Sequence, residues 1–127
     1  MNTARILVVD DNPINLKLVG DVLEFDGYSV LRAATAEEAL RVIEQTPPEL
    51  ILMDIALPGM DGLTLTRKLR DDAATRKIRI VALTAFAMKG DDEKALAAGC
   101  DGYITKPIDT RKLSEQVAVC LSKGSKE

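Results

Sequence analysis

Short apolar runs alternate with amphipathic stretches along the whole chain. Continuous apolar residues are typical of strands covered on both faces, and apolar residues that recur every three or four positions are typical of helices with one buried face. The alternation predicts an α/β fold, a doubly wound five-stranded parallel sheet with five helices and right-handed crossovers. The predicted strands span residues 6–9, 28–33, 50–53, 78–85 and 102–105.

The ends of the predicted helices carry recognisable signals. Asp11 or Asn12 can cap the first helix, which has Pro13 in its first turn and ends at Gly27. Thr35 begins a capping-box pattern for the second helix. A third helix is predicted over 62–71, a fourth over 90–99 and a last one after Pro107. The apolar stripes are Ile14, Leu18 and Val22; Ala36, Ala39, Leu40 and Ile43; Leu65 and Leu69; and Leu113, Val117 and Leu121.

The composition is that of one ordinary globular domain. With 127 residues, 46% hydrophobic and 29% charged, we expect a single domain over 1–122 and a disordered polar tail over 123–127. The net charge of −3 favours no nucleic-acid partner, and 3% aromatic residues leave no stacking platform for bases or flavins. No apolar stretch approaches the roughly 18 residues of a membrane span, so a cytoplasmic protein is predicted.

Cysteine and histidine usage narrows the chemistry further. Cys100 and Cys120 stand in apolar contexts without metal-binding spacing, which predicts reduced core thiols. The chain contains no histidine. This excludes histidine-based catalytic triads, histidine metal sites and phosphorylation on a histidine of this chain.

Polar side chains follow four of the five predicted strands. The carboxyl ends of parallel strands meet at one edge of the sheet, where ligands of such folds bind. Each residue alone has an ordinary explanation as a helix cap, turn residue or solvated charge, and their coincidence at one edge favours a site. The residues are Asp10 and Asp11 after the first strand, Asp54 after the third, Thr84 and Ala85 at the end of the fourth, and Lys106 and Pro107 after the fifth.

The three aspartates favour a metal site with phosphoryl chemistry. Carboxylates gathered together raise one another's pKa unless a cation neutralises them. Oxygen ligands without histidine or cysteine suit a hard ion, and a site that keeps several waters suits Mg²⁺ better than Ca²⁺. Asp54 beside Mg²⁺ is a competent nucleophile toward phosphorus and would form an aspartyl phosphate. The ammonium group of Lys106 would then interact with the phosphoryl oxygens, and the Thr84 hydroxyl would donate a hydrogen bond to the phosphoryl group.

These motifs together resemble the receiver domains of two-component response regulators. The resemblance covers nearly the whole chain: LVVDDN at 7–12, MDIALPGMDG at 53–62, ALTA at 82–85 and KP at 106–107. The stretch TAFAMKGDDEKALAAGCDGYITKP is similar to single-domain regulators of the DivK kind and to receiver modules of hybrid histidine kinases. The resemblance implies a flavodoxin-like or CheY-like fold with strand order 2-1-3-4-5.

The resemblance also implies a role for each site residue. Asp54 would be the phosphoacceptor, and the peptide bond between Lys106 and Pro107 would be cis. Ala56 and Phe86 cannot hydrogen-bond a water with their side chains, from which we expect slow autodephosphorylation, over minutes or longer. The implied ligand sets are Asp10, Asp11, Asp54 and the backbone carbonyl of Ala56 for Mg²⁺; Thr84, Ala85 and Lys106 for the phosphoryl group; and Thr84 with Tyr103 for the conformational switch.

The expected function is a stand-alone response regulator and not an enzyme. Its phosphoryl group would come from a histidine kinase or a phosphotransfer protein, since this chain has no histidine to donate one. Phosphorylation would switch a surface made by the fourth predicted helix, the fifth strand and the last helix, which binds a downstream protein. We expect a monomer or weak dimer that binds neither nucleic acid nor membranes.

Four alternatives differ in what the site does. One alternative is the receiver module of a hybrid kinase. Another is a pseudo-receiver that binds partners without phosphorylation, which is disfavoured because the site set Asp10, Asp11, Asp54, Thr84 and Lys106 is intact. A flavodoxin-like electron carrier is disfavoured because Asp10 and Asp11 would repel a flavin phosphate. An aspartate-nucleophile phosphatase is disfavoured because Ala56 stands where its second acid would be.

Overall fold

The computed structural model describes residues 4–54, 62–84, 97, 99–105 and 108–123, for residues 84, 105, 122 and 123 the backbone alone. Within these residues, strands and helices alternate as predicted. The predicted helix over 90–99 lies almost entirely outside the described residues. The elements are β1 Arg5–Val9, α1 Pro13–Phe25, β2 Ser29–Ala33, α2 Ala36–Gln45, β3 Leu50–Asp54, α3 Gly62–Asp71, β4 Arg79–Thr84, β5 Gly102–Thr105 and α4 Thr110–Lys123.

All five strands form one parallel sheet in the order β2-β1-β3-β4-β5, which confirms the expected order. The order reverses between β1 and β3, and in open α/β sheets the binding crevice lies at such a point. In their shared register Val9 of β1 lies beside Met53 of β3. The residues that follow these two positions therefore emerge side by side.

Alternate strand residues point into two separate cores, one on each face of the sheet. Leu7 and Ile51 pack with side chains of α2 and α3. Val8 and Leu52 pack with side chains of α1 and α4 on the opposite face. Because both faces are covered, β1 and β3 consist of almost uninterrupted apolar residues. They form a rigid support for whatever stands at their ends.

Most predicted helix boundaries are confirmed. Of the two candidates, Asn12 is the cap of α1, and its side chain accepts hydrogen bonds from the N–H groups of Ile14 and Asn15. Gly27 follows the helix with φ of 100°, a conformation that glycine adopts without strain. Neither Cys100 nor Cys120 forms a disulfide, as expected.

The capping box of α2 differs in one bond from the usual pattern. The Thr35 hydroxyl accepts a hydrogen bond from the N–H of Glu38 at 3.1 Å. The Glu38 carboxylate reaches back to the N–H of Ala34 at 2.6 Å, one residue before the cap. The box therefore fixes the connection from β2 as well as the first turn of the helix.

Of the stripe Ile14, Leu18 and Val22, only Val22 packs against the core, and the first two residues do not lie on the buried face of α1. Ile14 is 76% exposed and Leu18 is 38% exposed, whereas Val19 and Leu23 are buried. The four-residue repeat correctly indicated a helix and wrongly indicated which face lies against the sheet. The other stripes face the core, with Ala36, Ala39, Ile43, Leu65, Leu69, Leu113 and Val117 buried.

Gly20 of α1 lies directly against a side chain of β2. A Cβ atom at this position would overlap the guanidinium group of Arg32, which extends from β2. Arg32 also forms ion pairs with Asp21 and Glu24 on either side of that contact. The glycine lets the helix lie against the arginine in its observed position. None of the described helices is long and apolar enough to cross a membrane.

Candidate functional site

Three carboxylates converge at the carboxyl edge of β1 and β3. Each of Asp10, Asp11 and Asp54 offers an oxygen, and these oxygens lie within 4.8 Å of one another. Asp10 is completely buried, Asp54 is 5% exposed, and Asp11 is exposed. The convergence predicted from the strand ends is therefore present, and one of the three acids faces solvent.

Two hydrogen bonds hold Asp10 in place. Its N–H donates to the carbonyl of Ala33 at 3.1 Å, which ties it to the end of β2. Its Oδ1 accepts from the N–H of Asn12 at 2.9 Å. Because Asn12 also caps α1, the acid and the start of this helix are positioned together.

Asp54 is fixed by its place at the end of a central strand. The predicted strand stopped at residue 53, whereas β3 includes Asp54, which lies beside Leu83 of β4. All five residues of β3 are buried, and the strand is paired with β1 on one side and β4 on the other. A buried strand thus ends in a carboxylate whose backbone is anchored from both sides.

The acid cluster suits a hard divalent cation. Two unit charges about 4.8 Å apart repel by roughly 3 kcal/mol at an effective dielectric constant of about 20, so the three carboxylates oppose their own assembly. A cation removes this repulsion, and ligands that are all oxygen favour Mg²⁺ or Ca²⁺. The exposed position of Asp11 leaves room for the waters that Mg²⁺ retains. The residues present therefore fit Mg²⁺.

The two residues predicted to form the switch lie on neighbouring strands, as expected. Thr84 ends β4 and its backbone lies beside Thr105 of β5. Tyr103 lies beside Ala82, and its side chain is half-exposed. The side chain of Thr84 and the residues Ala56, Ala85, Phe86, Lys106 and Pro107 lie outside the described part of the structure. Their roles stay predictions.

Three groups away from the acid cluster have shifted pKa values. The hydrogen bond from Lys17 lowers the pKa of Asp21. Burial, with a smaller effect of Asp26, raises the pKa of Tyr28. Burial also raises the pKa of the Cys100 thiol, which lies 3.8 Å from the hydroxyl of Thr66. Cys100 therefore stays a neutral core thiol at ordinary pH.

One polar cluster was not predicted from the sequence. Arg70 of α3 donates a hydrogen bond to the carboxylate of Asp101, just before β5. Neither residue follows a strand, and each resembles an ordinary surface charge in the sequence. One weak signal indicates that Asp101 is not an ordinary surface charge. It directly follows Cys100, which is buried, and directly precedes β5, and a solvated charge is less common between two such neighbours.

Comparison with known proteins identifies the family. The model of the response regulator receiver domain matches residues 6–118 of this chain. The polar-differentiation response regulator DivK of Brucella ovis is 44% identical over 115 residues, which cover 91% of this chain and 94% of that protein.

Two solved structures are similar in both sequence and fold. The CheY-like response regulator receiver domain protein of Methanospirillum hungatei has a TM-score of 0.89 and 37% identity, over 98% of each chain. The receiver domain of a sensor histidine kinase from Pseudomonas aeruginosa has a TM-score of 0.86 and 36% identity, over 95% of this chain and 99% of its own. In that protein a magnesium ion is coordinated in the active site cleft. This chain therefore belongs to the family of response regulator receiver domains.

Proposed function

We propose that this protein is a phosphorylation switch in which Asp54 accepts a phosphoryl group from a histidine of another protein. The observation that carries the proposal is the group of three carboxylates whose oxygens lie within 4.8 Å of one another, with Asp54 anchored at the end of a central strand. Membership in the receiver family supports the same reading. Mg²⁺ is the proposed cofactor, held by Asp10, Asp11, Asp54 and the backbone carbonyl of Ala56.

The proposed step forms one bond and breaks one. A carboxylate oxygen of Asp54 attacks phosphorus, the P–N bond to the donor histidine breaks, and its electron pair returns to the imidazole ring. Mg²⁺, when bound, neutralises the acids and draws charge from the phosphoryl oxygens. The buried backbone of β3 holds the attacking carboxylate at one position, which lowers the entropic cost of the reaction.

The remaining site residues have proposed supporting roles. Lys106, Thr84 and the backbone of Ala85 would hold the phosphoryl oxygens, with a cis bond before Pro107 placing Lys106. Ala56 and Phe86 would leave an attacking water without a side-chain partner, from which slow hydrolysis follows. This expectation is checked by the lifetime of the phosphorylated protein, which a value of seconds would contradict.

The output is proposed to be a change in a protein-binding surface. This surface comprises the predicted helix over 90–99, β5 and α4. The conformation of the half-exposed Tyr103 on β5 would depend on the position of Thr84. Two arrangements of the surface would differ in population between the free and phosphorylated forms. The downstream partner would be a protein, in the cytoplasm, and the switch would be a monomer or weak dimer.

The phosphodonor protein is proposed to dock on the start of α1. Pro13, Ile14, Lys17, Leu18 and Asp21 line a shallow depression of about 490 Å³. Exposed apolar groups beside a reactive site suit a protein partner better than a small phosphate ester. The Asn12 cap connects this helix directly to Asp10, so a protein seated on Ile14 would have its histidine close to Asp54.

Whether the switch stands alone is a separate part of the proposal. The match to the DivK protein covers 94% of that regulator, which supports a stand-alone regulator with a receiver domain over 1–122. The similarity to a receiver domain of a sensor histidine kinase supports the alternative of a hybrid-kinase module. The length of the mature protein in its cells distinguishes the two.

The first test is intact mass after incubation with Mg²⁺ and acetyl phosphate. We expect one added phosphoryl group, absent from Asp54→Asn and from a sample without metal. Asp71→Asn, which removes an exposed acid from α3, is the matched control and should be phosphorylated like the natural protein. A mass that stays unchanged with acetyl phosphate and with a panel of histidine kinases would favour the pseudo-receiver alternative.

A further inference from the structure

Arg70, near the end of α3, joins three separate segments through its side chain. Nε donates a hydrogen bond to the carbonyl of Gly99 at 2.8 Å. Nη1 donates to the carbonyls of Arg76 at 2.7 Å and Ile78 at 2.6 Å. Nη2 donates to Oδ2 of Asp101 at 2.9 Å. The Arg70 side chain is 21% exposed, and its bonds to Gly99 and Ile78 are partly buried, whereas those to Arg76 and Asp101 are exposed.

Asp101 extends the network into the sheet. Its Oδ2 also accepts from the N–H of Ile80 at 2.8 Å, and its own N–H donates to the carbonyl of Ile80 at 2.7 Å. The edge strand β5 begins at the next residue, Gly102. We refer to Arg70, Asp101 and the carbonyls of Gly99, Arg76 and Ile78 as the Arg70 latch.

Gly99 shows how closely the latch is packed. Its φ of 115° lies in the region that side chains rarely adopt. A Cβ atom there would also overlap the side chain of Arg70. The turn into β5 therefore lies directly against the arginine, and a residue larger than glycine could not occupy it without displacing the arginine.

The latch lies at the opposite end of β4 from the acid cluster. It holds Ile80 near the start of β4, whereas Thr84 ends that strand. Four residues of strand separate these positions by about 13 Å. Tyr103 lies between the two ends, two residues beyond Asp101.

We propose that the Arg70 latch limits how far the response to phosphorylation spreads along the chain. The start of β5 stays fixed to α3 and β4, and Tyr103 responds by moving its side chain on a strand that does not shift. The physical reason is that residues 99–101 are bonded to Arg70 through both Gly99 and Asp101, while Nη1 of the same planar guanidinium group holds Arg70 to the carbonyls of Arg76 and Ile78. This inference rests on the proposed phosphorylation of Asp54.

The guanidinium group is essential to this arrangement. Arginine presents five donors in a planar fork, whereas lysine presents three donors at one point. Arg70→Lys thus keeps the charge beside Asp101 and cannot reach all three carbonyls. Arg67→Ala removes an exposed basic residue from the same helix and is the matched control.

The test measures amide exchange by NMR in the full chain, before and after phosphorylation with Mg²⁺ and acetyl phosphate. The reporters are the N–H groups of Ile80 and Asp101 and the ring resonances of Tyr103. In the natural protein and in Arg67→Ala, we expect the Tyr103 resonances to shift while both exchange rates change less than about twofold. In Arg70→Lys, both rates should rise about tenfold, and rise further on phosphorylation.

Two outcomes would overturn the proposal that the Arg70 latch limits how far the response to phosphorylation spreads. One is an exchange change of about tenfold or more at both reporters when the natural protein is phosphorylated. The other is an Arg70→Lys variant whose reporters respond as in the natural protein. Intact mass measured on the same samples distinguishes these two outcomes from a failure of the proposed function. If Asp54 gains no phosphoryl group, the proposed function is wrong and the inference about the Arg70 latch is wrong as well.

Discussion

The aspartates at the two ends of the sheet face opposite kinds of neighbour. At the carboxyl edge, Asp10, Asp11 and Asp54 face one another within 4.8 Å. At the other end, the Asp101 carboxylate faces a guanidinium group and a backbone N–H. The first arrangement gathers like charges that a cation can neutralise, and the second pairs one carboxylate with donors that stabilise the fold. A cluster of carboxylates thus marks acids suited to bind a cation, and a single carboxylate held by a guanidinium group and a backbone N–H marks an acid that holds structure.

The largest effect is expected on metal binding. Asp10→Asn removes a fully buried ligand charge, and the affinity for Mg²⁺ should fall about a hundredfold or more, a change of roughly 2.7 kcal/mol. Calorimetric titration with Mg²⁺ measures this. Asp101→Asn should bind Mg²⁺ like the natural protein. Equal losses in the two variants would show that the two groups of acids do not differ as described.

Arg70→Ala should lower the free energy of unfolding by about 2 kcal/mol. Most of the loss comes from the carbonyls of Gly99 and Ile78, which lose a charged donor in a partly buried place, and the exposed carbonyl of Arg76 contributes less. The ion pair adds less because Asp101 is half-exposed. Urea denaturation measures the difference. Arg67→Ala should change it by only a few tenths of a kcal/mol, and a loss as large as that of Arg70→Ala would refute the argument.

Replacing aspartate by asparagine should change the free energy of unfolding in opposite directions at the two ends of the sheet. Without metal, Asp54→Asn should raise the free energy of unfolding by about 1 kcal/mol because it removes repulsion, and Asp101→Asn should lower it by about 1 kcal/mol. Thermal and urea denaturation in a chelator-containing buffer measure both. Mg²⁺ should cancel the advantage of Asp54→Asn, since the natural site with all three carboxylates binds the metal more tightly and gains more stability from it. Changes of equal sign in both variants would contradict the comparison.

The acid cluster could be predicted from the sequence because the pattern of apolar residues locates the strand ends where these acids lie. Continuous apolar runs placed Asp10 and Asp54 at strand ends, and parallel pairing brings such ends together. The predicted end of the third strand was one residue too early, because Asp54 is the last residue of β3. Hydrophobic patterning locates side chains whose position follows from the backbone of one element and its neighbours.

The Arg70 latch and the orientation of α1 could not be predicted in this way. Arg70 and Asp101 are 31 residues apart, and nothing local indicates that they meet. The position of α1 depends on Gly20 receiving the side chain of Arg32 from another element. Both features are contacts between long polar side chains and distant backbone. Their partners are set by tertiary packing and not by periodicity.

The smallest effect is expected where distance alone would suggest a strong interaction. Lys17 Nζ lies 2.8 Å from Oδ2 of Asp21, and Arg70 Nη2 lies 2.9 Å from Oδ2 of Asp101. The Lys17 side chain is 78% exposed, however, and water competes for both charges. Lys17→Ala should therefore leave the free energy of unfolding unchanged within experimental error at neutral pH, as measured by urea denaturation.

A pH titration sharpens this last case. The hydrogen bond from Lys17 lowers the pKa of Asp21 below 3.8, so whatever the pair contributes is present above that pH and is lost as the pH falls through the lowered value. In Lys17→Ala, NMR titration should show the pKa of Asp21 moving up toward its ordinary range while stability hardly changes. A clear loss of stability at neutral pH would mean that short distance matters more than exposure. The contrast with Arg70 would then need another cause than protection from water.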